Sequence, residues 1–168
     1  QGNREWRWKG HLPPRPLFGL DQLSMRPDAP VLIVEGEKTA DAAQALFPKY
    51  VVITSAGGAK AASKTSWKSL SGRDVTICPD QDDGGTEYAQ DVAGLAQKAG
   101  AVSVAIVHLP AEFPAKWDLA DIIPDGWDLA GIEKLLAEAL QVKQPVNLTL
   151  GSDIEISRCI GEYLESRY

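Results

Sequence analysis

Histidine and cysteine are scarce, two of each in 168 residues. Cys78 and Cys159 lack the paired spacing of a zinc site, and His11 and His108 show no ligand spacing either, so Cys/His metal chemistry is excluded. So few thiols read as a reduced, cytoplasmic protein with two incidental cysteines. No run of about 18 apolar residues occurs, which excludes a transmembrane helix and removes the membrane from the expected partners. The opening QGNREWRWKG is polar and aromatic, unlike a signal peptide. No GxxxxGK[ST] stretch is present, so the chain holds no P-loop motor. There is no internal repeat and no low-complexity segment. The first residue is Gln1 rather than Met, and the chain is expected to be a piece of a longer protein.

What is present is an ordinary globular composition, 44% apolar and 24% charged, with the length of one domain. The net charge of −6 argues against broad nonspecific binding to nucleic acid. The charge is uneven. Residues 1–29 carry five Lys or Arg against three Asp or Glu, a net +2 that leaves −8 on the remainder. An acidic body can still meet nucleic acid if its carboxylates hold metal ions that face the phosphates.

Residues 1–29 form a proline-rich extension. Within it EWRWK alternates charge and aromatic, as in a short strand packing on the core. VLIVE (31–35) is a compact β-branched run, the mark of a parallel strand buried on both faces. Lys38 to Phe47 has helical spacing and stops at Pro48. YVVITS (50–55), DVTIC (74–78) and VSVAIVHL (102–109) read as three more strands. AGGAKAASK is a glycine-containing loop after the second. Thr86 to Ala99 reads as a helix with Gly100 as its C-cap. Strands alternating with helices predict an α/β domain with a mainly parallel four-stranded sheet flanked by helices. After it, a helix is expected from about Asp128 to Leu140. KQPVNLTLG is a linker, and DIEISRCIGEYLESRY is a last amphipathic helix capped by Ser152 and Glu155.

The acids are the informative residues. In open parallel sheets ligands bind beyond the carboxyl ends of the strands. Glu35 ends the first strand and Glu37 follows one glycine later. ICPDQDDGG places Asp80, Asp82 and Asp83 just past the third strand, and Asp118 and Asp121 follow the fourth. Like charges this close repel and raise one another's pKa, which calls for a positive partner. Each cluster also has a plain structural reading: Glu37 at a helix N-terminus, Asp80 to Asp83 in a turn, Asp118 as an N-cap. Position and order together carry the signal.

That joint pattern resembles the Toprim domain, the catalytic module of bacterial-type primases, topoisomerases and some nucleases. The first motif is a strand ending in glutamate and glycine, here VLIVEGEKTADAA with Glu35 and Gly36. The second is a strand followed by Asp-x-Asp, here Asp80 and Asp82. A third acid follows the next strand, here Asp118 and Asp121 in KWDLADII, with Trp117 as an extra residue between the lysine and the aspartate. The resemblance covers roughly residues 30–125. RPLFGL (15–20), SAGGAKAA (55–62) and the last helix narrow it toward phage- and plasmid-type primase–helicases. Where the family often has an aspartate early in the first helix, this chain has Thr39, with Asp41 two residues on. The zinc-binding domain that commonly precedes a primase Toprim is absent from the sequence.

The resemblance implies an organisation: an extension at 1–29, a catalytic domain at 30–125, a closing helix at 126–143, and a linker and helix at 144–168 leading toward a helicase part of the parent chain. It implies a DNA primase, which makes RNA primers from ribonucleoside triphosphates on a single-stranded DNA template. Mg2+ or Mn2+ would be held by Glu35, Asp80, Asp82 and Asp118, with Glu35, Asp80 and Asp82 catalytic. Mg2+ takes one or two carboxylates plus waters and substrate phosphates, and phosphoryl transfer asks mainly for positioning and charge neutralisation. Gly36 admits a close phosphate. Lys38 and Lys60 are phosphate-binding candidates, set against their reading as solvated lysines. Arg7 and Lys9, beside Trp6 and Trp8, combine charge with stacking faces, set against a cover strand. Two alternatives remain: a Toprim nuclease, and a noncatalytic Toprim module that binds nucleic acid or protein. Tyr50, Tyr88, Tyr163 and Tyr168 lie in no context that marks a topoisomerase nucleophile.

Overall fold

The computed structural model describes residues 12–143. The EWRWK strand, Arg7, Lys9, His11, the linker and the last helix lie outside the described residues.

Six strands form one mixed sheet in the order β1-β3-β2-β4-β5-β6. They are β1 (Leu17–Phe18), β2 (Val31–Ile33), β3 (Val51–Ser55), β4 (Asp74–Ile77), β5 (Ser103–Ile106) and β6 (Leu140–Gln141). The four expected strands are the parallel centre, β3-β2-β4-β5. The expected sheet was too narrow: a two-residue antiparallel strand extends each edge. Runs this short, with no alternation of their own, carry no strand signal. They form because the outer rungs of β3 and β5 offer free backbone groups.

The helices are α1 (Leu20–Met25), α2 (Glu37–Leu46), α3 (Asp83–Lys98) and α4 (Leu129–Ala137). Strand alternation divides the core. Val31, Ile33, Val51, Ile53, Val75 and Ile77 face α1 and α3, where Leu23, Val92 and Ala96 meet them. Leu32, Val34, Val52, Cys78 and Val107 face α2 and α4 through Ala43, Phe47, Ile132 and Leu136. A continuous β-branched run is therefore two interleaved faces, each covered by helices.

Three boundaries differ from expectation. The helix α3 starts at Asp83, three residues before Thr86, because Asp82 caps it. The helix α4 ends at Ala137, so Leu140 leaves the predicted helix and pairs with Ile106 instead. The glycine loop after β3 tightens into a 3-10 helix, Ala59–Lys64. The described part of the extension, residues 12–29, also contributes to the core. Leu17 and Leu23 are buried, and Arg73 donates to the Leu23, Arg26 and Ala29 carbonyls, holding the end of α1.

Candidate active site

Chain direction fixes where a site can form. From β2 the chain runs through α2 to β3, on one side. From β4 it runs through α3 to β5, on the other. The crevice between β2 and β4 is thus the topological switch point of the sheet, the place where open α/β folds bind ligands. Glu35 follows β2 and Asp80 follows β4, so both stand at the mouth of that crevice.

The two carboxyl groups act directly on one another. Burial and the Asp82 and Asp118 charges hold Glu35 above the usual carboxylate range, partly offset by the contact with Asp80. Burial, then the Glu35, Asp118 and Asp82 charges, push Asp80 up to about 7. Glu35 Oε2 and Asp80 Oδ1 are buried without any hydrogen-bond donor. Two ionised carboxylates cannot satisfy one another. A proton kept on Asp80 supplies the missing donor, and so does a cation. Burial and the charges of Asp80 and Asp118 push the neighbouring Cys78 thiol up to about 12, which leaves it inert.

The other two predicted ligands sit nearby and are engaged locally. Asp82 Oδ1 accepts from Gly85 N at 2.7 Å as the N-cap of α3. Asp118 Oδ1 accepts from Ala120 N at 2.6 Å, and Asp121 Oδ2 accepts from Asp118 N at 3.2 Å. Asp118 thus caps the turn after it as expected, whereas Asp82 caps a helix rather than lying in a plain turn, and the charges of both still act on Glu35 and Asp80. Among the described residues, no three His, Cys, Asp or Glu side chains form a ready-made cage for a metal. For Mg2+ this is compatible, because one or two carboxylates suffice when waters and phosphates complete the shell. The donorless oxygens of Glu35 and Asp80 fit such an ion.

The structure separates the remaining candidates. Gly36 is extended (φ −131°), and a Cβ built there would meet nothing closer than Thr39 Oγ1 at 3.9 Å. Nothing among the described residues requires glycine here. Lys38 and Lys60 are exposed, on α2 and the 3-10 helix, and neither has an acidic partner among the described residues. Glu37 is the first residue of α2, the helix-end position expected for it, and its Oε1 also accepts from Gly57 N at 2.8 Å, fastening the glycine loop to α2. Asp41 does not join the acids; it lines a groove with Phe18, Gly19 and Gln44 between α1 and α2. His108 is exposed and lines a cavity of about 190 Å³ beside Asp80, with Gln81, Thr86 and Gln90.

Two positioning residues escaped the sequence reading. Gly85 is buried, and a Cβ there would strike the Asp80 backbone, its nitrogen at 2.8 Å. Only glycine lets the first turn of α3 close on the Asp80 turn; the Gly84-Gly85 pair was the available signal. Gln81 N donates to Trp117 O at 2.9 Å, Lys116 N donates to Gln81 O at 2.9 Å, and Gln81 Nε2 donates to Pro110 O at 3.0 Å. This clip carries the Asp118 segment to the Asp80 turn. Beneath it Trp117 is buried edge-on to Phe113, its indole donating to Ile122 O. No sequence spacing announces such a contact.

A family described as a domain of unknown function (DUF6371) matches residues 11–81. No curated protein matches the chain. Among solved structures, the Aquifex aeolicus primase (zinc-binding and RNA polymerase domains) is similar with a TM-score of 0.54 at 23% identity, over 75% of this chain and 30% of that one. A DnaG catalytic core is similar with a TM-score of 0.53 at 20% identity, over 79% of this chain and 42% of that one. The chain spans less than half the length of either. The fold is that of bacterial primase catalytic cores.

Proposed function

We propose that this chain is the metal-binding catalytic module of a DNA primase, joining ribonucleotides into a primer on single-stranded DNA. The observation that carries the reading is the pair of buried, donorless oxygens, Glu35 Oε2 and Asp80 Oδ1, at the switch point of a primase-like sheet. A binding module has no use for acids held this unfavourably.

In this reading Glu35 and Asp80 hold Mg2+ or Mn2+, with Asp82 and Asp118 adding negative charge around it. The bound ion supplies charge neutralisation for the nucleotide triphosphate and the attacking 3′-hydroxyl. The chain's own residues do the rest. Glu35 and Asp80 stay poised by burial, ready to exchange a proton for a cation. Gly36 leaves its Cβ space to a phosphate. Lys38 and Lys60 extend toward the more distant phosphates as point charges. The narrower assignment to a phage- or plasmid-type primase–helicase, with a helicase part on the same parent chain, rests on the 15–20 and 55–62 phrases.

The test is primer synthesis on mixed-sequence single-stranded DNA with labelled ribonucleotides and Mn2+, comparing wild type with Asp80→Ala/Asp82→Ala. Short RNA products that vanish in the variant support the reading. Template degradation that vanishes in the variant overturns it in favour of a nuclease.

A further inference from the structure

The parallel ladder between β2 and β3 stops one rung early. Its register runs from Val31↔Val51 to Ile33↔Ile53, and Val34 N still donates to Ile53 O at 3.2 Å. In a regular parallel ladder the next bond joins Ser55 N to Val34 O. Here a side chain from another element takes that place. Val34 O instead accepts at 3.1 Å from the Tyr88 hydroxyl, carried by α3. Thr54 Oγ1 lies 3.4 Å from that hydroxyl. Val34, Thr54 and Ser55 are fully buried and Tyr88 is 4% exposed.

Proton counting makes this arrangement specific. The phenol has one proton, which goes to Val34 O. The Ser55 hydroxyl donates to Gly58 O at 2.9 Å and lies 3.5 Å from the phenol oxygen. Burial keeps the phenol protonated and therefore a donor. The hydroxyl is an inserted rung. It holds β2 and β3 apart at the carboxyl edge, one residue before Glu35. On the far side of Glu35, Glu37 is fastened to Gly57 N. The strand end that carries Glu35 is thus fixed from both sides by groups that are not acids of the site.

We propose that Tyr88 is a positioning residue whose hydroxyl, bridging Val34 O at the end of β2 to the Thr54 and Ser55 hydroxyls of β3, sets where Glu35 leaves the sheet. Without it, either the buried Val34 carbonyl goes unpaired or the ladder closes and draws the strand end toward β3. Glu35 shifts in both cases. The inference rests on the reading of Glu35 as a metal ligand.

The experiment uses the full chain as wild type, Tyr88→Phe and Ala96→Gly, the last a buried α3 control away from β2. Mn2+ binding by calorimetry and amide exchange of the metal-free protein are measured for each. Tyr88→Phe is expected to weaken Mn2+ about fivefold, the worth of one buried hydrogen bond, and to change exchange at Ser55 and residues 34–37. Ala96→Gly is expected to lower the melting temperature and leave Mn2+ affinity unchanged. Mn2+ affinity of Tyr88→Phe equal to wild type, or lowered equally by Ala96→Gly, would overturn the proposal. If wild type binds no Mn2+, the metal reading fails, and exchange alone decides the spacer: unchanged rates at Ser55 and 34–37 overturn it.

Discussion

Replacing Asp80 by asparagine should stabilise the protein while removing its activity. Folding raises the Asp80 carboxyl from 3.8 to about 7, chiefly by burial and then by the Glu35 charge. The unfolded chain therefore gives up this proton first. Below pH 3.8 the side chain is neutral in both states and costs nothing. Between there and about 7 the folded state is progressively penalised, and above about 7 it carries the full penalty. At about 1.4 kcal/mol per pKa unit the whole shift is worth about 4 kcal/mol. Asp80 is partly exposed, so solvent screening reduces this to about 2 kcal/mol. Asparagine keeps the shape, carries no charge, and offers Glu35 a donor. In metal-free buffer at about pH 8, Asp80→Asn should melt about 4–8 °C above wild type, and at about pH 4 the two should coincide. Added Mg2+ should close the gap at the higher pH by stabilising only the wild type. Thermal melts by circular dichroism at the two pH values check this. An equal gain at both values, or a loss at the higher one, refutes the claim that these carboxylates are held against their own repulsion.

Other outcomes follow from the same crevice. Gly85→Ala should cost about 1–3 kcal/mol in a urea titration, the usual price of overpacking against backbone. Gly36→Ala should change stability by no more than about 0.5 kcal/mol yet weaken nucleotide binding, because the proposed phosphate would take its Cβ space. Mg2+ should slow amide exchange at residues 80–85; equal rates with and without the ion count against a cation offsetting these charges.

The parallel centre of the sheet and the order of its acids were legible because each rests on local pattern. A β-branched run announces a doubly covered strand, and an acid directly after it announces a strand end. What could not be read was whatever depends on distant contact. The edge strands at Leu17–Phe18 and Leu140–Gln141 exist only because a neighbouring strand offers free rungs. The cap role of Asp82 was masked by its membership of the acidic cluster, although Asp before Asp-Gly-Gly is a helix start in its own right. Glu37 looked like a dipole-stabilised acid, and its bond to Gly57 joins residues 20 apart in sequence. The Gln81 clip and the Tyr88 rung use hydrogen bonds between residues far apart in sequence. They decide how closely the legible acids converge.

The most direct measurement is anomalous diffraction from crystals of the chain soaked in Mn2+. The account predicts a manganese peak in contact with Glu35 Oε2 and Asp80 Oδ1, in the crevice between β2 and β4. A peak confined to the exposed groove of Asp82, Asp83 and Thr86, or no peak on Glu35 and Asp80, would contradict it.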